Sequence, residues 1–439
     1  MKLTRRKFLA ASAAAAAVTA TATISSPAVI GADSKKKYRA ALIGCGWWGN
    51  NIRNAAMKSG AIELVALCDV DRNQRDKTLA RQKEMTDVVP KTFGDYREML
   101  KEIKPEIVIN ATPDHWHALI TIAACEAGAH VYVEKPISHT MNEGLPMIKA
   151  ARDAKRIVQV GLHRRTAPHL ISAMEFLKSG KVGKIGSIKA FVNYPWGPNP
   201  TADAPVPDGL DWDFFCGPSK LVPYNPRMHP SGYRNFMEFS NGQITDWGTH
   251  WLDQVLWWSK EDQHPTAICS IGGRRIINDN TTIPDSMQVV YKFDTFDLTW
   301  ENRNYAGNPQ EHSNVGLYFY GSEGVLHLGW LDGWSFYPRG EFNVAPTEHV
   351  SSEGLDLPDH QNIANLWANF IQSIESNSLP LCDIEVGHRA TSLALLGVLS
   401  LKLGRGIVWD GEKQTIPNDP EACKLLSRDY RSPWKYPTV

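Results

Sequence analysis

The most constraining stretch of this chain is the apolar run Tyr38 to Ile43, which passes at once into Gly44-Cys45-Gly46-Trp47-Trp48-Gly49. An apolar run that enters glycines at this spacing predicts a buried strand, a tight turn and the start of a helix over Asn50 to Lys58. The three glycines serve different ends. Gly44 makes the turn, Gly46 lets the backbone approach a pyrophosphate, and Gly49 lets helix and strand pack closely. Trp47 and Trp48 lie inside the turn and are counted with the binding loop. The helix N-terminus offers unpaired N–H groups and the positive end of its dipole to phosphate. A second apolar run, Ile62 to Cys68, ends in Asp69, twenty residues after Gly49. A carboxylate there can accept hydrogen bonds from ribose hydroxyls and would repel a 2′-phosphate, so NAD is favoured; Arg72 leaves NADP open.

Further apolar runs at Glu106–Ala111, His130–Val133 and Gln159–Val160 alternate with helical stretches such as His115–Ala127. This pattern predicts an α/β domain with a doubly wound parallel sheet over residues 33–160. Beyond residue 160 the texture changes. Ile188–Tyr194, Ala267–Arg274, Met287–Phe293, Leu298–Asn302 and Val315–Tyr320 read as strands in succession, predicting an α+β domain over 161–439 with a large, mostly antiparallel open sheet. Two helices, about 362–374 and 389–402, are expected near the junction of the domains. The stretch from Pro195 to Pro230 has no periodicity and reads as a long loop, of the kind that is usually functional.

The first residues stand apart. Thr4-Arg5-Arg6-Lys7-Phe8-Leu9, an Ala/Thr-rich run and Ser26-Pro27-Ala28 have the layout of a signal peptide over residues 1–32, with cleavage expected between Ala28 and Ala32. The arginine pair resembles a twin-arginine signal, which implies export of the folded protein to the periplasm by that machinery; a Sec signal that happens to hold two arginines is the alternative. No later stretch is long enough to span a membrane. Lys plus Arg and Asp plus Glu both total 47, so the basic excess of a nucleic-acid binder is missing. Seven scattered cysteines form no CxxC pair, and no structural disulfide is expected. Of 15 tryptophans only Trp47, Trp48 and Trp116 precede residue 150, so the second half is rich in flat, amphipathic rings suited either to a core or to a polyol.

Thr112-Pro113-x-x-x-His117, Ala127-Gly128-x-His130-Val131, Glu134-Lys135-Pro136, Gly161-Leu162-His163-Arg164-Arg165, Asp246-x-x-x-His250 and Gly321-x-x-Gly324 follow the glycine turn in order. Together they resemble the Gfo/Idh/MocA oxidoreductase family over nearly the whole chain. The resemblance implies a homo-oligomer assembled through the open sheet. It also implies a substrate pocket lined by Lys135, Asp246 and His250 beside the nicotinamide ring, with Thr112, Pro113, His117, Glu134 and Lys135 on the cofactor side. His163, Arg165 and Trp247 are substrate-side candidates, and a structural role for His163 and Arg165 is equally consistent with their position. Tyr194, Arg227 and Arg234 read as solvated surface.

Oxidation of a secondary alcohol needs a base for the hydroxyl proton, and the sequence does not decide between Lys135 and His250. Asp246, four residues before His250, can share its helix face and orient the imidazole or hold a substrate hydroxyl; alone, the pair would equally cap and pad a helix. His115 and His117 have the HxH pattern of metal ligands, but nicotinamide chemistry requires no Lewis acid and no metal is expected. The expectation is an exported NAD(P)-dependent oxidoreductase acting on a sugar, cyclitol or glycoside with tightly held NAD. Redox-neutral glycoside cleavage or epimerisation through a keto intermediate is the alternative, and a non-catalytic sugar or nucleotide sensor the alternative of another class.

Overall fold

A computed structural model describes residues 36–260, 263–308, 313–340, 345–352 and 360–439. The stretch read as a signal peptide, residues 1–32, lies outside them. Six strands form the first sheet: β1 (Tyr38–Ile43), β2 (Ile62–Cys68), β3 (Lys91–Phe93), β4 (Ile107–Asn110), β5 (His130–Val133) and β6 (Val158–Val160). Their order is β3-β2-β1-β4-β5-β6 and every pairing is parallel. Strands buried on both faces are mostly apolar, which is why β1 after Arg39, β2 after Glu63 and β4 up to Asn110 read as hydrophobic runs. Chain order reverses between β1 and β4, so the loops leaving these two strands flank a crevice at the carboxyl edge of the sheet. The helices of this region are α1 (Trp47–Lys58), α2 (Arg72–Met85), α3 (Tyr96–Ile103), α4 (His117–Glu126) and α5 (Gly144–Asp153). Helix α1 begins three residues earlier than its composition suggests, which puts Trp47 and Trp48 in its first turn.

After α6 (Pro168–Lys178) comes a nine-stranded sheet. It comprises β7 (Ile185–Asn193), β8 (Ala267–Gly273), β9 (Ser286–Lys292), β10 (Asp297–Arg303), β11 (Val315–Gly321), β12 (Gly324–Gly329), β13 (Trp334–Pro338), β14 (Glu348–Val350) and β15 (Ile407–Val408). Only β7 and β10 pair in parallel; the other neighbours are antiparallel. Strands β3 and β13 to β15 have five residues or fewer and were not legible as strands, because short segments carry little periodicity; β12 was missed with them. One face of this sheet is covered by α8 (Gln243–Ser259) and α10 (Ile384–Leu403), whose Trp251, Leu252, Val255, Leu393 and Leu396 join its core.

Two features depart from the sequence reading. Helix α9 (His360–Ser376) inserts Ile363, Leu366, Trp367 and Phe370 into the core of the first sheet, and Trp367 stacks on Tyr132 at 5.1 Å and 6°. A chain segment far beyond residue 160 thus completes the dinucleotide half. The stretch read as a loop from Pro195 to Pro230 contains α7 (Trp212–Cys216) and builds a small core of its own around Leu210, Trp212, Phe215, Tyr224 and Met228. Aromatic packing without repeat made it invisible to periodicity. Among the described residues no helix is long and apolar enough to cross a membrane.

Candidate active site

The glycine turn is held as its composition demands. Gly44 adopts φ +94°, and a Cβ there would lie 2.5 Å from the carbonyl oxygen of Ala111. A Cβ on Gly49 would collide with the Gly44 carbonyl, whereas one on Gly46 would meet nothing within 4 Å. Gly46 therefore borders open space at the N-cap of α1, where no side chain caps the first N–H groups. Asp69 spends one oxygen on Cys45 N (2.7 Å) and the other on Asp71 N (2.9 Å), which ties the end of β2 to the turn. Burial raises its pKa, and a carboxylate has lone pairs left for further hydroxyl donors. Arg72 departs from expectation: its exposed side chain packs over Gly209, outside the wall of the cleft.

The cleft, counted out to where it opens into solvent, encloses about 1000 Å³. Its floor is the carboxyl edge of β1 and β4, with Trp47, Trp48, Thr112, Pro113, His117, Glu134 and Lys135 around it. Asn110 fixes the Thr112 turn, its amide donating to His117 O (3.1 Å) and accepting from Thr112 Oγ1 (2.8 Å). His117 sits between the carbonyls of Pro136 (2.6 Å) and Thr112 (2.8 Å), and burial pulls its pKa down to about 4. It joins the two turns and positions Lys135. His115 contacts Phe215 O instead (2.8 Å), so the two histidines do not converge. Among the described residues no group of three His, Cys, Asp or Glu side chains could hold a metal ion.

The roof comes from the 208–235 strap, through Phe214, Phe215, His229, Pro230, Tyr233 and Arg234. His229 pairs with Asp71 (2.9 Å), Arg72 N donates to Gly209 O (2.8 Å), and Trp116 Nε1 donates to Phe215 O (3.0 Å). The C-terminal tail locks the strap from outside: Trp434 stacks on Phe214 at 5.4 Å, and Arg431 pairs with Asp213 at 2.7 Å.

A dinucleotide fits these walls on two observations. Open space lies above Gly46, where phosphate would meet the helix terminus. The first N–H groups of α1, which no side chain caps, are left to receive it.

At the other end of the cleft, Lys135 Nζ donates to Asp246 Oδ1 (2.7 Å) and to the Asp246 carbonyl (2.9 Å). An ammonium has three N–H donors, so one remains for a substrate oxygen. Burial alone would raise the Asp246 pKa, but Lys135 and Arg234 outweigh it and hold the carboxyl at about 2. The carboxylate binds Lys135 and Arg234 (3.2 Å) and makes no bond to His250, so it orients the lysine, not the imidazole. His250 lies one turn along α8. Burial, and then Lys135, His163 and Arg164, hold its pKa well below the usual imidazole value, so the ring is neutral. Its Nδ1 is sealed without a partner. The ring packs against His163 at 5.1 Å and Trp330 at 5.2 Å, while His163 also faces Trp48 at 5.7 Å. Trp247 packs on Trp330 at 4.7 Å.

Arg165 is a correction. Its guanidinium forms a two-pronged ion pair with Asp253 (2.8 and 2.9 Å), both side chains 1% exposed, and it takes no place in the pocket wall. Arg234 is the opposite correction: read as surface, it lies in the cleft wall against Asp246 and the Tyr233 ring. Arg227 pairs with Asp279 (2.6 Å), and Tyr194 is half-buried.

Asp114 was missed altogether. It is buried, accepts from Ser240 Oγ (2.6 Å), and burial pushes its pKa up to about 6 against the opposing pull of Arg234. A carboxyl whose folded pKa lies above its unfolded one contributes stability that is present at low pH and lost as pH rises through the folded value. Asp114→Asn is therefore expected to remove a decline of up to about 3 kcal/mol between about pH 4 and about pH 6. Urea denaturation of the two proteins across that window checks this; parallel curves would refute it.

Comparison with known proteins agrees with this geometry. Residues 38–162 match the profile of an oxidoreductase family with an NAD-binding Rossmann fold, and residues 185–300 match that family's C-terminal alpha/beta domain. The chain is 30% identical over 362 residues to the D-glucoside 3-dehydrogenase of Escherichia coli K12, covering 80% of this chain and 91% of that protein. It is 32% identical over 121 residues to the levoglucosan dehydrogenase of Pseudarthrobacter phenanthrenivorans, a match that spans 28% of this chain and only 30% of the relative. A solved structure of levoglucosan dehydrogenase in complex with NADH and levoglucosan superposes with a TM-score of 0.66 at 16% identity, over 85% of this chain and 99% of that one. With both domains matched and a full-length relative at this identity, the chain belongs to the Gfo/Idh/MocA oxidoreductase family and carries its NAD-binding Rossmann domain.

Proposed function

We propose that this protein is an NAD-dependent dehydrogenase that oxidises a secondary hydroxyl of a sugar, cyclitol or glycoside and keeps its cofactor bound between turnovers. The observation that carries the reading is the pairing of Lys135, at the end of the dinucleotide cleft, with Asp246, beside a neutral His250 whose Nδ1 is sealed without a partner. NAD, when bound, supplies the hydride acceptor. The residues supply the rest: His250, neutral and buried, takes the hydroxyl proton. Lys135, held in place by Asp246, donates its remaining N–H to the reacting oxygen and stabilises the charge that develops there. The relatives named for glucoside and levoglucosan oxidation support a carbohydrate substrate.

The strap that roofs the cleft, and the tail stacked on it through Trp434 and Phe214, support tight retention. Retention suits export: Arg5-Arg6, outside the described residues, would direct a folded, loaded protein to the periplasm. A cofactor held this way is recycled in place, which favours a second reading: transient oxidation, elimination or epimerisation beside the ketone, and reduction again. The exposed Ile271, Val290 and Tyr320 on β8, β9 and β11 support a homo-oligomer formed through the open sheet.

The test is to denature the purified, processed protein and quantify the nicotinamide dinucleotide released. Near-stoichiometric NAD(H) is the expected result. Cofactor that washes out but rebinds would remove only the retention claim; neither bound cofactor nor uptake of added NAD or NADP would remove the dehydrogenase.

A further inference from the structure

Strand β7 ends at Asn193, and the next residues are held against the end of β10. Tyr194 N donates to Arg303 O (2.8 Å), Trp196 N to Asn304 O (3.0 Å), and Gly307 N returns a bond to Tyr194 O (3.1 Å). On this fixed backbone the Tyr194 and Trp196 rings lie parallel, 4.4 Å apart at 4°. Tyr194 is half-buried, but Trp196 remains 41% exposed, and Tyr194 is its single ring neighbour among the described residues. A tryptophan that served only the core would be covered on both faces; this one is backed on one face and offered on the other.

The pair is not isolated. Trp247 approaches Tyr194 at 6.2 Å and Trp330 at 4.7 Å, and Trp330 in turn packs on His250 at 5.2 Å. An unbroken row of aromatic rings therefore leads from the proposed base outward to the exposed indole. Pyranose rings carry one face of C–H groups that packs on aromatic surfaces while their hydroxyls stay hydrated. A single sugar reacting beside His250 and Lys135 does not need this row to extend beyond Trp330.

We propose that Tyr194 and Trp196 form a binding platform for a second sugar ring, so that the preferred substrate is a disaccharide or longer glycoside oxidised on the ring that reaches His250. This rests on the reading of the cleft as a carbohydrate dehydrogenase. It assigns Trp196 to substrate selection and gives it no part in the chemistry.

The test is calorimetric titration of the holoenzyme with methyl glucosides and with glucose disaccharides of different linkage, for the wild type, Trp196→Ala and Trp196→Phe. At least one disaccharide is expected to bind roughly tenfold more tightly than the methyl glucosides. Trp196→Ala should erase that preference and leave methyl glucoside binding unchanged, and Trp196→Phe should keep part of it. Wild-type protein without the preference, or a Trp196→Ala variant that retains it, overturns the platform while leaving the dehydrogenase intact. Failure of every glucoside, single or double, to bind overturns the platform together with the glucoside form of the dehydrogenase reading.

Discussion

Lys135→Ala is expected to lower the rate of hydride transfer by about a hundred- to ten-thousand-fold while the nicotinamide dinucleotide stays bound. The two outcomes separate because the contacts are separate. The walls that would hold a dinucleotide are built mainly from the Gly44–Gly49 turn, Asp69 and the strap, whereas Lys135 reaches across to Asp246 at the far end. Removing the ammonium takes away the donor aimed at the reacting oxygen. It also leaves Asp246 with Arg234 as its remaining cation, so the carboxyl pKa should rise from about 2. Lys135→Arg keeps a charge for Asp246 but changes the donor's reach and shape, and it should restore less activity than stability. Single-turnover absorbance of the reduced cofactor, with the dinucleotide content assayed after denaturation, checks both statements. Turnover equal to wild type would sink the role given to Lys135.

Arg165→Met and Asp253→Asn should each destabilise the protein by about 3–5 kcal/mol, because either change removes one half of a buried ion pair. Both side chains are 1% exposed, and the guanidinium also lies 5.7 Å from the Trp257 ring centroid, so water has little access to the pair. The pair joins the segment after β6 to α8, the helix that carries Asp246 and His250. Replacing both charges with apolar residues of similar volume is expected to recover most of the loss. Chemical denaturation of the single and double variants measures this. If Arg165 instead touched substrate, its removal would raise KM and leave stability unchanged.

Much of the dinucleotide half could be read directly because its chemistry is local. Gly44, Gly46 and Gly49 act within one turn, and β1, β2 and β4 are apolar over most of their length because both faces of the sheet are covered. Asp69 reaches back to Cys45 N across a distance that the strand–turn–helix unit itself imposes. Helix α8 likewise places Asp246 and His250 one turn apart by its pitch alone. Arg165 shows the limit of such reading: its place in a motif was visible, but its partner Asp253, 88 residues away, was not.

What the sequence by itself determined, then, is the nucleotide turn, the parallel sheet and the residue types that can move a proton, since each depends on neighbours within a few residues or on strand burial. Tertiary structure alone decided which groups meet. It joined Lys135 to Asp246 across 111 residues, turned Asp246 away from His250, brought Arg234 and Asp114 into the site, and folded the aperiodic strap and the C-terminal tail over the cleft. The physical reason is that ion pairing and aromatic stacking carry no sequence period. They are set by the packing of whole elements, and become visible only when those elements are in place.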